Sequence, residues 1–331
     1  MYKVLIIFPW VSDSFNTDGS VYSSESKIEH NHLMELVGQL SHVRSLELRP
    51  PRRSDLRVLE SFEELRSLHL GRSSSLAGIE HCKQLERLSL SKGNIKTLEP
   101  LRGMSNLSHV SLSLNLYNPL KFDPEVVATW TNLRQFRIYY CDSVDLAGFE
   151  NLPDLEVLVV SGLLQSEIKP SSRKSLVTGL ESLKNMRSLK HLSLPNCASL
   201  ESLDFCRELA DLADLEELDL SGCKSLKNID GVSQLTKLKK IRLRQCPHLE
   251  DLSGLESISS LKELTIHSDP LGLIQKLWKR DSIVRAQLIT EFDKLQTERK
   301  KQVQALTNAL PGVKINTSVP VWPTGALGEM N

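Results

Sequence analysis

A short pattern of apolar and polar positions returns about ten times along this chain of 331 residues. The pattern is Leu-x-x-Leu-x-Leu followed by a polar turn, and a clear copy runs from Leu215 to Leu220. The second apolar position marks each copy, and successive markers lie roughly 20 to 26 residues apart except for one longer gap. The markers are Leu46, Leu68, Leu88, Val110, Phe136, Leu158, Leu192, Leu218, Ile241 and Leu264.

The alternation inside each copy predicts a β-strand with one apolar face. Leu218 and Leu220 point to one side of such a strand, and Asp219 points to the other. A lone strand of this kind has no partner for its leucines, but parallel strands stacked about 4.8 Å apart make one continuous core. The sequence therefore predicts an α/β repeat fold, a solenoid of about ten coils spanning residues 33–270.

These copies resemble the leucine-rich-repeat (LRR) family, most closely its short class. The stretch from Leu85 to Leu101 resembles the subtype found in phosphatase regulators, whereas copies such as Leu220-Ser221-Gly222-Cys223 resemble plant immune-receptor repeats. The resemblance implies a right-handed solenoid whose parallel β-sheet lines a concave face. It also implies that function lies in binding, because the repeat specifies a fold rather than a chemistry.

Cysteine recurs at the polar turn, three positions after the last leucine of the copy, in Cys141, Cys197, Cys223 and Cys246. A thiol pointing inward there can bond weakly to the backbone and tolerates burial. In-register parallel neighbours are poorly oriented for a disulfide, so we predict that all six cysteines are reduced. That state favours the cytoplasm or the nucleus.

The two ends of a solenoid must be covered. Residues 1–32 are predicted to be an N-terminal capping segment that includes a first strand near Val4–Phe8, although a secretory signal remains an alternative for residues 1–12. Residues 271–317 are predicted to be a helical C-terminal cap with a final strand, and residues 318–331 a mobile tail. Two copies carry insertions, at Tyr117–Val127 and at Leu164–Ser175.

The chain offers little catalytic chemistry. It has no phosphate-binding loop, hydrolase elbow or zinc-protease motif, and His30 and His32 lack an obvious third ligand for a metal. Basic and acidic residues both number 41, which argues against a nucleic-acid partner. No apolar run approaches a membrane span. We therefore expect no enzyme, no cofactor, no metal, no nucleic acid and no membrane contact.

The remaining candidate surface is the set of strand side chains that point away from the leucines. Two groups stand out on the predicted concave face. The first combines arginine, tyrosine and valines, a composition typical of binding hot spots, and the second is charged. These candidate partner-binding residues are Arg137, Tyr139, Val157 and Val159 in the first group and Glu217, Asp219, Lys240, Arg242 and Arg244 in the second.

Each group also has an interpretation without a partner. Asp219 could pair with Arg242 across neighbouring strands, and the valines could be shielded by the Leu164–Ser175 insertion. The sequence favours a non-catalytic scaffold or regulatory subunit that binds a protein, such as an enzyme that it regulates. The alternative is an immune-type recognition protein, either a repeat-only relative or a fragment of a plant-type receptor.

Overall fold

The chain divides into two compact units in a computed structural model. Unit 1 comprises Met1–Leu163 and Thr178–Ser188, and unit 2 comprises Leu164–Val177 and Leu189–Asn331. The residues that the structure describes are 4–7, 43–48, 56, 59–60, 62–115, 120–141, 143–162, 176–204, 206, 214–249, 251–267 and 297–318.

Unit 1 contains seven parallel strands in chain order. They are β1 (Val4–Ile7), β2 (Ser45–Leu48), β3 (Ser67–Gly71), β4 (Arg87–Gly93), β5 (His109–Leu114), β6 (Gln135–Cys141) and β8 (Val157–Gly162). The markers lie side by side: Leu46 opposite Leu68, and so on to Phe136 opposite Leu158. Two short strands, β7 (Ser143–Asp145) and β9 (Leu176–Thr178), are not part of this ladder.

Unit 2 contains five parallel strands with the same register. They are β10 (His191–Ser193), β11 (Glu217–Asp219), β12 (Lys240–Arg244), β13 (Glu263–His267) and β14 (Lys314–Ser318). Ile315 of β14 lies opposite the marker Leu264, so β14 extends the same ladder after the C-terminal helix. The α/β leucine-rich-repeat solenoid predicted from the sequence is therefore confirmed as the fold.

The markers and their neighbouring leucines form the core. Every marker is at most 2 % exposed, whereas most strand residues that alternate with the buried apolar positions are partly exposed. Most return segments pass through short 3-10 helices, at Ile79–His81, Glu99–Leu101, Phe149–Asn151, Leu180–Asn185, Asp230–Gln234 and Ser253–Leu255. Each buried leucine stabilises the fold by roughly 1.5–3 kcal/mol. The leucines that define the repeat therefore also stabilise the fold.

Aromatic side chains replace leucines in one part of unit 1. Phe136 packs against Phe122, Trp130 and Phe149 with ring centroids 5.7–6.2 Å apart. Trp130 Nε1 donates a hydrogen bond to the Leu101 carbonyl oxygen at 2.9 Å. Part of the predicted insertion forms the helix α1 (Pro124–Val127), which is capped by Asp123, and residues 116–119 lie outside the described part.

Two of the turn cysteines donate hydrogen bonds to the backbone, as the sequence predicts. Cys223 Sγ donates to the Leu194 carbonyl oxygen at 3.1 Å, and Cys246 Sγ donates to that of Leu220 at 3.2 Å. All six cysteines are buried, and none of them is in a disulfide. Burial raises the pKa of the Cys246 thiol to about 12, as it does for Cys82 and Cys206, so these groups are uncharged at neutral pH.

The residue two positions after the last apolar residue of a copy often has a left-handed backbone. This position is a glycine in Gly222 (φ 77°), but it is Asn196 (φ 60°) and Gln245 (φ 55°) in neighbouring coils of unit 2. Arg72, Lys92 and Tyr140 hold the same conformation in unit 1. A side chain with a Cβ pays about 1–2 kcal/mol for this conformation, so these coils are strained at their turns.

Replacing Gln245 with glycine is expected to raise the free energy of unfolding by about 0.5–1 kcal/mol, because relief of the strain exceeds the added entropy of the unfolded chain. The exposed Gln245 side chain loses little on removal. Denaturant titration of the full chain measures the change, with Gln245→Ala as the control that keeps a Cβ. A loss of stability on glycine substitution would show that the turn is not strained.

The described part of the C-terminal region begins with a helix over residues 297–309. Its Leu306 and the following Leu310 are buried, and Arg299 Nη2 donates to the Leu249 carbonyl oxygen. The other predicted boundaries, including residues 271–296, the tail and most of residues 1–32 with His30 and His32, lie outside the described residues. Within the described chain, no helix has the length and apolar character needed to cross a bilayer.

Candidate protein-binding face

Alternate residues of the strands form a surface opposite the leucine core, which we call the open face. All nine residues predicted to bind a partner lie on strands that contribute to this face, and each is at least partly exposed. The structure places Arg137, Tyr139, Val157 and Val159 in unit 1 and the other five in unit 2. The two predicted groups are therefore two patches, one in each unit.

The unit 1 patch combines one cation with apolar side chains. Arg137 lies opposite Val159 on the next strand, and Gln135 lies opposite Val157. The guanidinium of Arg137 donates to Gln135 Oε1 at 2.6 Å, which holds it against the sheet. Both valines are half-buried rather than covered, so apolar surface remains open to a partner. The Leu164–Ser175 insertion, which the sequence suggested as a shield, lies outside the described residues.

Sequence reasoning missed Tyr140, the residue next to Tyr139. It is 37 % exposed and has a φ of 62°, so its ring extends the aromatic surface at the end of β6. The missed signal was its position immediately before Cys141. That position repeatedly adopts the left-handed conformation, which removes it from the simple in-and-out alternation of the strand.

The open face around this patch is basic. Arg87 and His109 lie opposite each other on β4 and β5. The described open face of β3 to β6 and β8 carries serines, histidines and arginines but no acidic residue. Burial, followed by the charges of Arg87 and Arg137, lowers the pKa of the His109 imidazole below its ordinary value. His109 is therefore mostly neutral at pH 7.

The unit 2 patch is organised around Glu217. Its carboxylate lies 2.9 Å from Lys240 Nζ, 3.7 Å from Arg242 Nη1 and 3.6 Å from His191 Nδ1. Burial raises the pKa of Glu217, but the hydrogen bond and the charge of Lys240, together with His191 and Arg242, hold it below its ordinary value. Glu217 is therefore ionised at neutral pH and neutralises part of the basic group.

The predicted pairing of Asp219 with Arg242 is wrong. The two residues are opposite each other in the register, but Asp219 Oδ1 accepts a hydrogen bond from the Ser221 backbone N–H at 3.0 Å. A short aspartate reaches the backbone of its own turn before it reaches across strands, a common local competition. Arg242 is long enough to reach diagonally to Glu217 instead.

Replacing Glu217 with glutamine is expected to reduce stability by about 0.2–1 kcal/mol at pH 7. The folded-state pKa is lower than the unfolded one, so the contribution is complete above the ordinary value of 4.5 and is lost as pH falls through the lower folded value. The unfolding free energies of the wild type and of Glu217→Gln are measured from pH 7 down to acid. The difference between them should stay constant down to about pH 4.5 and shrink only below it. A difference that is constant with pH would contradict the ion-pair assignment.

Two further observations show which residues of the unit 2 patch are accessible to a partner. Arg244 is exposed and has no ion-pair partner among the described residues, so it is the cation most available to a partner. Thr265, which the alternation also places on the open face, is only 1 % exposed. The accessible part of this patch therefore centres on β11 and β12.

Charged residues at the start of the strands form ion pairs between neighbouring coils. Arg66 pairs with Glu86 at 2.6 Å and Arg134 with Glu156 at 3.2 Å in unit 1, and Lys239 pairs with Glu216 at 2.7 Å in unit 2. These side chains occupy the same position in neighbouring coils and neutralise one another. Where residues are described, no group of three or more histidines, cysteines, aspartates or glutamates could hold a metal ion.

Comparisons with known proteins agree with the repeat pattern. Residues 214–257 match the family described as leucine rich repeats in two copies. No curated protein matches the chain. Solved structures are also similar to it, including the following three. Internalin C2 from Listeria monocytogenes is 19% identical, with 71% of this chain and 92% of that chain covered and a TM-score of 0.48.

The other two structures are similar at lower identity. The internalin InlF from the same organism is 16% identical, with 89% of this chain and 87% of that chain covered and a TM-score of 0.45. The LRR ectodomain of the Arabidopsis thaliana receptor kinase GASSHO1/SCHENGEN3, solved with CASPARIAN STRIP INTEGRITY FACTOR 2, is 14% identical, with 71% and 37% covered and a TM-score of 0.36. The family match covers two repeats within residues 214–257, and the in-register coils of both units have the leucine-rich-repeat solenoid fold.

Proposed function

We propose that this protein is a non-catalytic scaffold or regulatory subunit that binds a protein partner on its open face. Leucine-rich-repeat proteins generally mediate protein–protein interactions. The observation that carries the proposal is the composition of the unit 1 patch. Arg137, Tyr139, Val157 and Val159 are partly exposed on rigid strands, and the leucine core does not need them.

The physical basis is that a preformed surface loses little entropy on binding. Side chains held by strand backbone and neighbouring coils are already ordered, so a partner contacts them at low cost. Aromatic and arginine side chains beside half-buried apolar groups account for most measured binding energy in interfaces. The buried cysteines, which form no disulfide, support a location in the cytoplasm or nucleus, where thiols stay reduced.

Affinity purification from native lysate with paired alanine variants tests the proposal. Arg137→Ala/Tyr139→Ala changes the unit 1 patch, and Arg242→Ala/Arg244→Ala changes the unit 2 patch. The matched control is Lys121→Ala/Lys184→Ala, since both lysines are exposed and lie outside the strands. We expect at least one open-face pair to weaken capture of a wild-type partner by about tenfold or more. Retention of every partner by both pairs would contradict the proposal.

The alternative is immune-type recognition, which rests on the cysteine-bearing copies around Cys223 and Cys246. Their thiols have a structural role at the turns, because each donates to a carbonyl oxygen of the preceding coil. A transcript that joins this chain to a nucleotide-binding or kinase domain would favour the alternative over a free-standing regulator.

A further inference from the structure

The described open face of β3 to β6 and β8 carries arginines but no acidic residue. We propose, building on the protein-binding function above, that this face takes an acidic segment of the partner protein, with carboxylates at Arg87 and Arg137 and an apolar side chain at Val157 and Val159. We call the surface formed by these four residues and His109 the basic face.

The first argument is that both guanidinium groups keep free donors. Arg137 donates to the neutral Gln135 Oε1 and has no carboxylate within ion-pair distance among the residues described. Arg87 Nη1 lies 4.0 Å from Glu86 Oε2, at the limit of an ion pair, and its side chain is 58% exposed. Glu86 is already held by Arg66 at 2.6 Å. A guanidinium has five N–H donors, so each arginine can still bind a carboxylate.

The second argument is the electrostatic environment of His109, which lies between the two arginines in the sheet. Burial lowers the pKa of its imidazole, and Arg87, Arg137 and Arg134 lower it further, whereas Glu156 opposes them. The local potential is therefore positive even though the protein as a whole has zero net charge. A neutral His109 adds no charge of its own, so the attraction should persist through neutral pH.

The third argument is geometric and selects the kind of partner. Arg87 on β4 and Arg137 on β6 are two strands apart, roughly 10 Å. Ser89, Ser111 and Ser113 lie between and beside them and offer hydroxyl groups. Donors spread over this distance suit successive side chains of an extended acidic segment. The adjacent valines require an apolar neighbour, which favours a protein over a nucleic acid.

The unit 2 patch provides the internal contrast. Its cations lie beside Glu217, which contacts both Lys240 and Arg242. Glu263 adds a second acid on β13 and accepts from Asn316 Nδ2 at 3.1 Å. In unit 2, acidic residues of the chain itself therefore neutralise the cations, as carboxylates of a partner would in unit 1.

Selection from a displayed random peptide library against the full-length chain tests the inference. We expect the enriched peptides to be rich in aspartate and glutamate with an apolar residue nearby. A synthetic copy of the most enriched peptide then serves as the probe in fluorescence anisotropy. Arg87→Glu/Arg137→Glu should weaken its binding by about tenfold or more, and added salt should weaken binding to the wild type.

The matched control is Lys121→Glu/Lys184→Glu, which makes the same change in net charge outside the strands and should leave binding unchanged. Arg87→Gln/Arg137→Gln serves if charge reversal disturbs folding, which circular dichroism reports. Absence of acidic enrichment, or equal binding by the Arg87→Glu/Arg137→Glu variant and its control, overturns the inference. Tighter binding of a single-stranded DNA oligonucleotide than of the acidic peptide would also overturn it.

The outcomes separate this inference from the proposed function. Neutral peptides whose binding is lost in Arg137→Ala/Tyr139→Ala would overturn the acidic partner and leave the open face as the binding surface. Peptides that bind equally to every open-face variant would overturn both.

Discussion

Replacing Phe136 with alanine is expected to lower the free energy of unfolding by about 3–5 kcal/mol, one of the two largest effects we predict. Phe136 is fully buried and contacts three other aromatic rings, so its removal leaves a cavity at the centre of that cluster. The neighbouring coils are fixed by their own strand ladders and cannot collapse into the space. Denaturant unfolding followed by circular dichroism measures the loss.

Tyr139→Ala is the matched control for Phe136→Ala. The two aromatic residues belong to the same strand, but Tyr139 is on the open face and its ring is partly exposed. Its removal should cost less than about 1 kcal/mol, within the range of surface substitutions. Similar losses for the two variants would mean that the assignment of core and open face in β6 is incorrect.

Replacing Gly231 with alanine is expected to destabilise unit 2 by about 2–4 kcal/mol, because the new methyl group meets backbone of the preceding coil. A Cβ at Gly231 would lie 2.0 Å from the Leu203 carbonyl oxygen and 3.0 Å from Cys206 Cβ. Neither atom is the flexible end of a side chain, so relief requires the two coils to move apart. Thermal unfolding of the variant measures the effect as a fall in Tm.

The next coil supplies the control at Gly254. A Cβ there would lie 3.4 Å from the Ile229 carbonyl oxygen, which is an ordinary contact. Gly254→Ala should therefore change stability little or raise it slightly, because alanine reduces the entropy of the unfolded chain. If both substitutions were equally tolerated, the close approach of the coils at Gly231 would be refuted.

The repeat pattern predicts the fold because its information is local and redundant. Within each unit, each marker is opposite the next marker in the observed register, including Val110 and Phe136, where the residue type departs from leucine. An error of one residue in any strand would expose its leucines, so burial enforces the register. The same alternation predicts strand positions for all nine candidate residues, and each of them is at least partly exposed in the structure.

The pattern fails where side-chain length or backbone strain decides the outcome. Asp219 and Arg242 are neighbours in register, yet one bonds its own turn and the other reaches diagonally. Tyr140 leaves the alternation because its backbone is left-handed. Thr265 is on the expected side of its strand but is buried, which a single strand cannot reveal. Position on a face is therefore predictable, whereas pairing and accessibility require the folded coordinates.

Site-specific photo-crosslinking tests directly whether the partner binds to the open face. A photoreactive amino acid at Val159 samples the unit 1 patch, one at Arg242 samples the unit 2 patch, and one at the exposed Lys184 in a 3-10 helix samples the surface outside the strands. We expect a protein partner to crosslink to Val159, to Arg242 or to both positions. We expect no crosslink from Lys184. Crosslinking from Lys184 alone would contradict the account.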